Sequence, residues 1–561
     1  MKSPLPGQTA SLFRGMFLPL LLLAVFARPA PGATADVPCW GRLELTLTSR
    51  AEYSNPVQDA TLRAVFKSPS GRVRQAEGFW DGGATWRVRF MPDERGSWTW
   101  TTESSASVDR GLHGQRGAFL CTANPQSHRF AVHGAVRVAA NHRHLAHADG
   151  SPFFWLGDTC WNGALLSTPA DWEHYIGERV RQKFSAVQWV ATQWRAAPEG
   201  DLQQRVAFTG TDRIAVNPEF FQHLDAKADA LNRVGLLSVP VLLWAIGGGS
   251  NPRVNPGFSL PEDQAILLAR YMVARWQAHH TIWILPGDGD YRGPKAERWK
   301  RIGRAVFGDR EHAPVMLHPG GMQWVAEEFK SESWLDLFGY QSGHGDDAKT
   351  LKWIVAGPPS TDWKQEPFRP FLNLEPPYEN HVAYQSKQPI APHTVRRAVY
   401  WSLLNAPTAG VTYGGHGIWG WDDGTRPPTD HARSGIPLPW QKALLMPAAE
   451  QMAHVADVFT SIDFAGLRPA QNLIVNQPGD LTPANFIAAA RSEDGKVAII
   501  YTPARQAIGL RPSDLPARLK ARWFNPRDGR FSVGSGIVAG DALRFNPPGE
   551  EDWVLVITVN N

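Results

Sequence analysis

Cysteine is scarce in this chain: Cys39, Cys121 and Cys160 are all that 561 residues contain. Thiols so far apart make neither the closely spaced pairs of a zinc or dithiol motif nor the framework of a disulfide scaffold. In an oxidising compartment one bridge, Cys39 to Cys121, is open to them, and Cys160 is then the odd thiol. Long apolar runs are missing as well, since nothing after residue 35 approaches the roughly eighteen apolar residues that suggest a membrane span. Charge of one sign is missing too, with 57 Lys and Arg against 53 Asp and Glu. Three of those bases, Lys2, Arg14 and Arg28, precede Ala35 in a stretch without acids, and the remainder stands at +1. A nearly neutral chain lacks the basic field of a nucleic-acid binder.

Two features stand out among what is present. Lys2 and Arg14 precede the apolar run Met16 to Phe26, and Ala33-Thr34-Ala35 follows it. That order is a secretory signal peptide over residues 1–35, which predicts export to the periplasm or beyond and no membrane association once it is cleaved. Tryptophan is abundant, with 24 residues against 10 Tyr. Its flat amphipathic faces serve a packed core or line a ligand cleft.

Three regions follow the leader. Residues 36–130 alternate with period two, as in Leu43-Glu44-Leu45-Thr46-Leu47 and Trp86-Arg87-Val88-Arg89-Phe90. Turn clusters such as Asp81-Gly82-Gly83 separate these runs and predict an antiparallel β-sandwich. Residues 131–460 change to short apolar strands with helical stretches between them. The predicted strands are Phe153–Leu156, Ala186–Val190, Leu237–Trp244, Thr281–Leu285, Pro314–Leu317, Leu335–Gly339, Pro370–Leu374 and Gly410–Tyr413. The predicted helices include Pro169–Lys183, Gly321–Lys330 and a last one over Trp440–Val458. Eight such units are the tally of a (β/α)8 TIM barrel. The rival doubly wound sheet needs a Gly-rich turn after its first strand, where this chain has Gly157-Asp158-Thr159-Cys160. Residues 461–561 return to strands such as Val497–Tyr501 and Trp553–Ile557, a second small β-sandwich.

A barrel of this kind carries its chemistry at the C-terminal ends of its strands. Those exits deliver Asp158 and Trp161, Gln188 and Trp189, Asp288 and Asp290, His318, Gln341 and His344, Glu375, Tyr378 and Glu379, and Tyr413 and His416. Carboxylates, amides and aromatic faces suit a hydroxyl-rich ligand. Breaking a glycosidic bond takes two carboxyl groups, one protonated for the leaving oxygen and one ionised. Glu375, after the apolar strand, is the candidate nucleophile with Glu379 as fallback. Asp288 is the candidate acid/base with Asp290 as its rival in the turn Gly287-Asp288-Gly289-Asp290. Asp158, Trp161, Gln188, Trp189, His318, Gln341, His344, Tyr378 and Tyr413 are the candidate substrate contacts. His318, His344 and His416 lie in different loops and are read as polar contacts, so no metal and no cofactor is expected.

Several of these stretches resemble a known family. Pro152 to Thr159 (PFFWLGDT), Ile282 to Asp288 (IWILPGD), Tyr340 to His344 (YQSGH) and Asn373 to Glu379 (NLEPPYE) are similar to the apiosidase-like barrel of glycoside hydrolase family 140 and its relatives. Gly78 to Gly83 (GFWDGG) resembles the sandwich that precedes that barrel, and Ala521 to Gly529 (ARWFNPRDG) the collagen-binding-type β-domain that follows it. The resemblance implies a retaining glycosidase on branched, plant-type polysaccharide, with Glu375 as nucleophile and Asp288 as acid/base. The chain departs from the pattern at Pro286, where a small residue is expected. The competing expectation is a non-catalytic polysaccharide-binding or adhesion protein on the same scaffold.

Overall fold

The computed structural model describes residues 35–308, 310–477, 483–516 and 518–559. The leader expected over residues 1–35 falls outside them apart from Ala35, which opens a short strand. Among the described residues no helix is long and apolar enough to cross a membrane.

The N-terminal strands alternate buried and exposed, as in Leu43–Thr48 and Leu62–Lys67. Val73–Trp80 pairs Leu62–Lys67 with its first half and Thr85–Phe90 with its second, which folds the strands into two layers. Phe66, Phe90, Trp98 and Phe119 fill the space between, with Phe66 and Phe90 stacked at 3.9 Å. A three-stranded ribbon over Val136–Val138, Leu145–His147 and Pro152–Phe153 leads from this sandwich into the central body.

The central body is a parallel eight-stranded (β/α)8 barrel. Its strands are β1 (Trp155–Thr159), β2 (Ala186–Val190), β3 (Leu237–Leu243), β4 (Trp283–Pro286), β5 (Val315–Met316), β6 (Phe338–Gln341), β7 (Phe371–Glu375) and β8 (Gly410–Gly414). They run in the order β5-β4-β3-β2-β1-β8-β7-β6. The N–H groups of Asp336 and Leu337, just before β6, donate to Val315 O at 2.9 and 3.2 Å and close β5 to β6. The strands are covered on both faces, which explains their near-continuous apolar sequence. Around them lie α1 (Pro169–Arg181), α2 (Pro218–Arg233), α3 (Glu262–Trp276), α4 (Pro294–Val306), α5 (Ala326–Phe329), α6 (Ala348–Ala356), α7 (Pro392–Leu404) and α8 (Pro447–Thr460). Helices α1, α2, α4, α7 and α8 carry Pro in their first turn, where its missing N–H breaks no bond.

Several elements differ from the sequence reading, the sixth strand among them, which runs Phe338–Gln341 where Leu335–Gly339 was expected. The first barrel strand starts at Trp155 and runs on through Asp158 and Thr159, because Pro152 and Phe153 join the preceding ribbon. The helix expected over Gly321–Lys330 shrinks to Ala326–Phe329. Gly320 N–H and Met322 N–H bond instead to Gly289 O and Gln341 O in neighbouring loops. The last helix splits into Trp440–Ala443 and α8, because Pro447 has no N–H to continue the ladder.

The C-terminal region pairs a six-stranded antiparallel sheet with a three-stranded one around Ile500, Trp523, Phe545 and Leu555. It is seated on α7. Arg396 makes two hydrogen bonds to buried Asp552, at 2.9 and 2.7 Å, and Tyr400 stacks on Tyr501 at 4.7 Å.

Candidate active site

Glu375 is the last residue of β7, and its backbone is pinned from both sides. Its carbonyl accepts from Ser342 and Gly343 N–H, and its own N–H donates to Asn373 Oδ1. The carboxylate, 12% exposed, has His344 Nε2 at 3.0 Å and His318 Nε2 at 3.5 Å. His344 Nδ1 accepts from Tyr378 N–H at 3.3 Å, which leaves the proton on Nε2, aimed at Glu375. Burial alone would raise the Glu375 pKa. The hydrogen bond from His344 and the two imidazoles outweigh it and hold the carboxyl below its ordinary range.

Asp288 sits after β4 on Gly287, whose N–H donates to Leu243 O. A Cβ at Gly287 would lie 2.5 Å from the Trp244 ring, so only glycine lets the turn approach that closely. Gln341 Nε2 donates to Asp288 Oδ1 at 3.2 Å and lies 3.5 Å from His318 Nδ1, joining the exits of β4, β5 and β6. Burial first, and then the charge of Glu375, push Asp288 up to about 7. The two carboxyls are thus neighbours displaced in opposite directions.

Their rivals are engaged elsewhere. Asp290 is bound by Arg292 at 2.8 Å and Lys295 at 3.1 Å, and these cations bring it down to about 2. Glu379 accepts from Tyr413 Oη at 2.8 Å and from Ala448 and Ala449 N–H, and so caps the N-terminus of α8.

An aromatic wall surrounds the pair. Trp161 meets His318 edge-on at 5.3 Å and Trp244 at 5.4 Å, and Trp194 lies 4.3 Å from Trp244. Tyr378 packs on His344 at 4.3 Å, with its hydroxyl buried beside Glu375. Tyr384 is 53% exposed, yet its N–H donates to His344 O and its ring meets His344 at 5.5 Å.

Of the residues expected from sequence, the structure brings Trp161, His318, Gln341, His344 and Tyr378 around Asp288 and Glu375. Gln188 lies inside the barrel beneath them, donating to Thr159 Oγ1 and Leu374 O. Asp158, Trp189 and Tyr413 are corrections. Side chains alternate along a strand, and these three fall on the outward face. Asp158 is fully buried between β1 and α1, bound to Tyr175 Oη at 2.5 Å and Arg179 Nε at 2.7 Å. Trp189 packs on Trp276 of α3 and bonds Ser238. Tyr413 supports Glu379. His416 spends both nitrogens on the protein, donating to Gly435 O and accepting from Trp419. Among the described residues no group of three metal-ligating side chains converges. Trp244 and Tyr384 join the site without having been singled out by the sequence. Trp244 was legible as the exit of the third strand, whereas Tyr384 lies in a long loop with no local signal.

The comparisons with known proteins bear on the family and the fold. Residues 139–465 match the family model described as "Apiosidase-like, catalytic domain". Residues 36–105 match a domain of unknown function, DUF5060, and residues 468–558 the model described as "Putative collagen-binding domain of a collagenase". A comparison with curated proteins finds no match. A solved structure described as a glycoside hydrolase superposes with a TM-score of 0.67 at 20% identity, covering 78% of this chain and 99% of that one. A glycoside hydrolase family 5 structure from Bacteroides vulgatus gives 0.66 at 20% identity, covering 77% and 95%. At such identity the likeness speaks for the fold, and the family model, which spans more than half of the sequence, speaks for kinship: the chain belongs to the apiosidase-like family, whose catalytic domain here has a glycoside hydrolase fold.

Proposed function

We propose that the protein is an exported retaining glycosidase acting on a branched, plant-type polysaccharide, with Glu375 as nucleophile and Asp288 as acid/base. The observation that carries this reading is the placement of two carboxyls at the exits of β4 and β7, Glu375 with His344 Nε2 at 3.0 Å and Asp288 with Gln341 Nε2 at 3.2 Å, in surroundings that hold Glu375 down and push Asp288 up to about 7. Such a split supports this division of acid and base roles. Gln341 donates to Asp288 Oδ1, which leaves Oδ2 to carry the proton toward the leaving oxygen. Glu375 then attacks the anomeric carbon. In the second half-reaction Asp288, now ionised, takes a proton from the water that releases the sugar. Retention is what the resemblance to glycoside hydrolase family 140 implies; a carboxyl separation of ~5 Å accompanies retention and a wider one inversion. The exposed ring of Tyr384 offers a face for the C–H surface of a sugar ring, and buried Trp161 and Trp244 pack behind the site. Residues 36–130 and 461–561 are on this reading accessory β-modules around a catalytic unit over 131–460.

The test is a panel of apiose-, arabinose-, galactose- and rhamnose-containing glycans, with the anomer of the first-formed sugar read by NMR. Release of the retained anomer, lost in Glu375→Gln by about a thousandfold or more, is expected. Equal turnover in that variant, or an inverted product, overturns the assignment.

A further inference from the structure

We infer that Cys39 and Cys121 form a disulfide bond in the mature protein, made by exchange with a small disulfide oxidant such as oxidised glutathione. The two cysteines are 82 residues apart in sequence, but the fold puts them on adjacent strands of one sheet, two positions out of register. Strand Ala35–Pro38 runs parallel to Arg116–Thr122 with Val37 opposite Cys121 and Pro38 opposite Thr122. The N–H of Cys39 extends this ladder by one bond, to Thr122 O at 2.9 Å. That places Cys39 two positions beyond Val37, on the sheet face that Cys121 shares, and Cys39 packs against the apolar cluster that contains Cys121. Diagonal neighbours on one face of adjacent strands can be bridged once their Cα atoms come within about 7 Å. Cys121 is buried while Cys39 is half-buried, so the pair is reachable from one side. Cys160 is no competitor, being fully buried under the barrel mouth near Ile418 O.

The reaction balances as two linked exchanges. One cysteine attacks the oxidant and releases a first reduced thiol. The other cysteine displaces the mixed disulfide and releases a second, so the two protons and two electrons leave on the oxidant. Burial, and then the neighbouring Cys39, push the Cys121 thiol up to about 12. Little thiolate exists in the folded pair, so the bond is made during folding, while both sulfurs are exposed.

Its position gives the bond a task. Trp40, the next residue, takes a left-handed φ of 63°, which costs energy for a bulky side chain. Its carbonyl accepts from His280 of the barrel at 3.0 Å, and Arg42 binds Asp229 of α2. A bridge at Cys39 would fix the start of the segment that ties the first sandwich to the barrel.

The test refolds the full chain in a glutathione redox buffer, then denatures and alkylates it without reductant before peptide mass analysis. The expected result is one alkylated cysteine, Cys160, and one peptide pair joining Cys39 to Cys121. Three alkylated cysteines, or a bridge that includes Cys160, would overturn the inference. Cys39→Ser should lower the thermal midpoint by several degrees, and reductant should bring the wild type to the same value. A wild-type midpoint indifferent to reductant would remove the stapling role. Neither readout involves turnover, so failure here leaves the glycosidase reading untouched.

Discussion

His344 Nε2 lies 3.0 Å from Glu375 Oε1, while its Nδ1 accepts the N–H of Tyr378, three residues beyond that carboxylate in the same loop. The loop thus fixes the tautomer of the imidazole that fixes its own acid. Replacing His344 by Ala removes the donor, and burial then dominates at Glu375. The acid limb of kcat/KM should move to higher pH, with turnover down by about a hundredfold. An unmoved acid limb would show that Glu375 is tuned by something else.

The alkaline limb belongs to Asp288. Its raised carboxyl must be protonated to act as the acid, so activity should be full below about 7 and fall as pH rises through that value. Because the Glu375 charge is one cause of the shift, Glu375→Gln should lower the Asp288 pKa. Carbon-detected NMR titration of the labelled carboxyl in both proteins reads the direction, and an increase in the variant would contradict the pairing.

Tyr384 should matter for binding more than for chemistry. Loss of its exposed ring in Tyr384→Ala is expected to raise KM about tenfold, the worth of a good aromatic contact. Tyr384→Phe should retain most of the affinity. If kcat falls while KM stays fixed, the ring is acting on the chemical step.

Asp158→Asn tests a structural role. Arg179 is fully buried, and losing its carboxylate contact to Asp158 leaves an uncompensated charge, a change that costs about 3–5 kcal/mol. Denaturant unfolding should register that loss, while kcat of the folded fraction stays close to wild type. A stable protein with poor turnover would mean that Asp158 touches substrate after all.

Asp158 also shows where the sequence stops being readable. All eight strands were visible as apolar runs, and Glu375 stood out because a carboxylate directly after such a run is carried to the barrel rim rather than to a solvated face. The same continuity hides parity. In a strand covered on both faces nothing alternates, so whether Asp158 or Thr159, Gln188 or Trp189, points inward cannot be read from the letters. The error was therefore shared by β1, β2 and β8. Asp290 and Glu379 were separable from Asp288 and Glu375 only through their partners, Arg292 and Lys295 in one case and the start of α8 in the other. The second of these contacts spans 69 residues and leaves no local trace.

The ion pair between Arg396 and Asp552 bears on how the tail can be studied. Helix α7, which carries Arg396, follows the strand that ends in Glu375. Cutting the chain before the C-terminal sheets would strand a guanidinium in an apolar seam and bare the face of Tyr400 just behind the nucleophile's strand. The tail is in this sense a buttress of the catalytic wall. Whatever it binds, a truncated barrel is the wrong control, and point changes on its outer strands are the ones that separate binding from support.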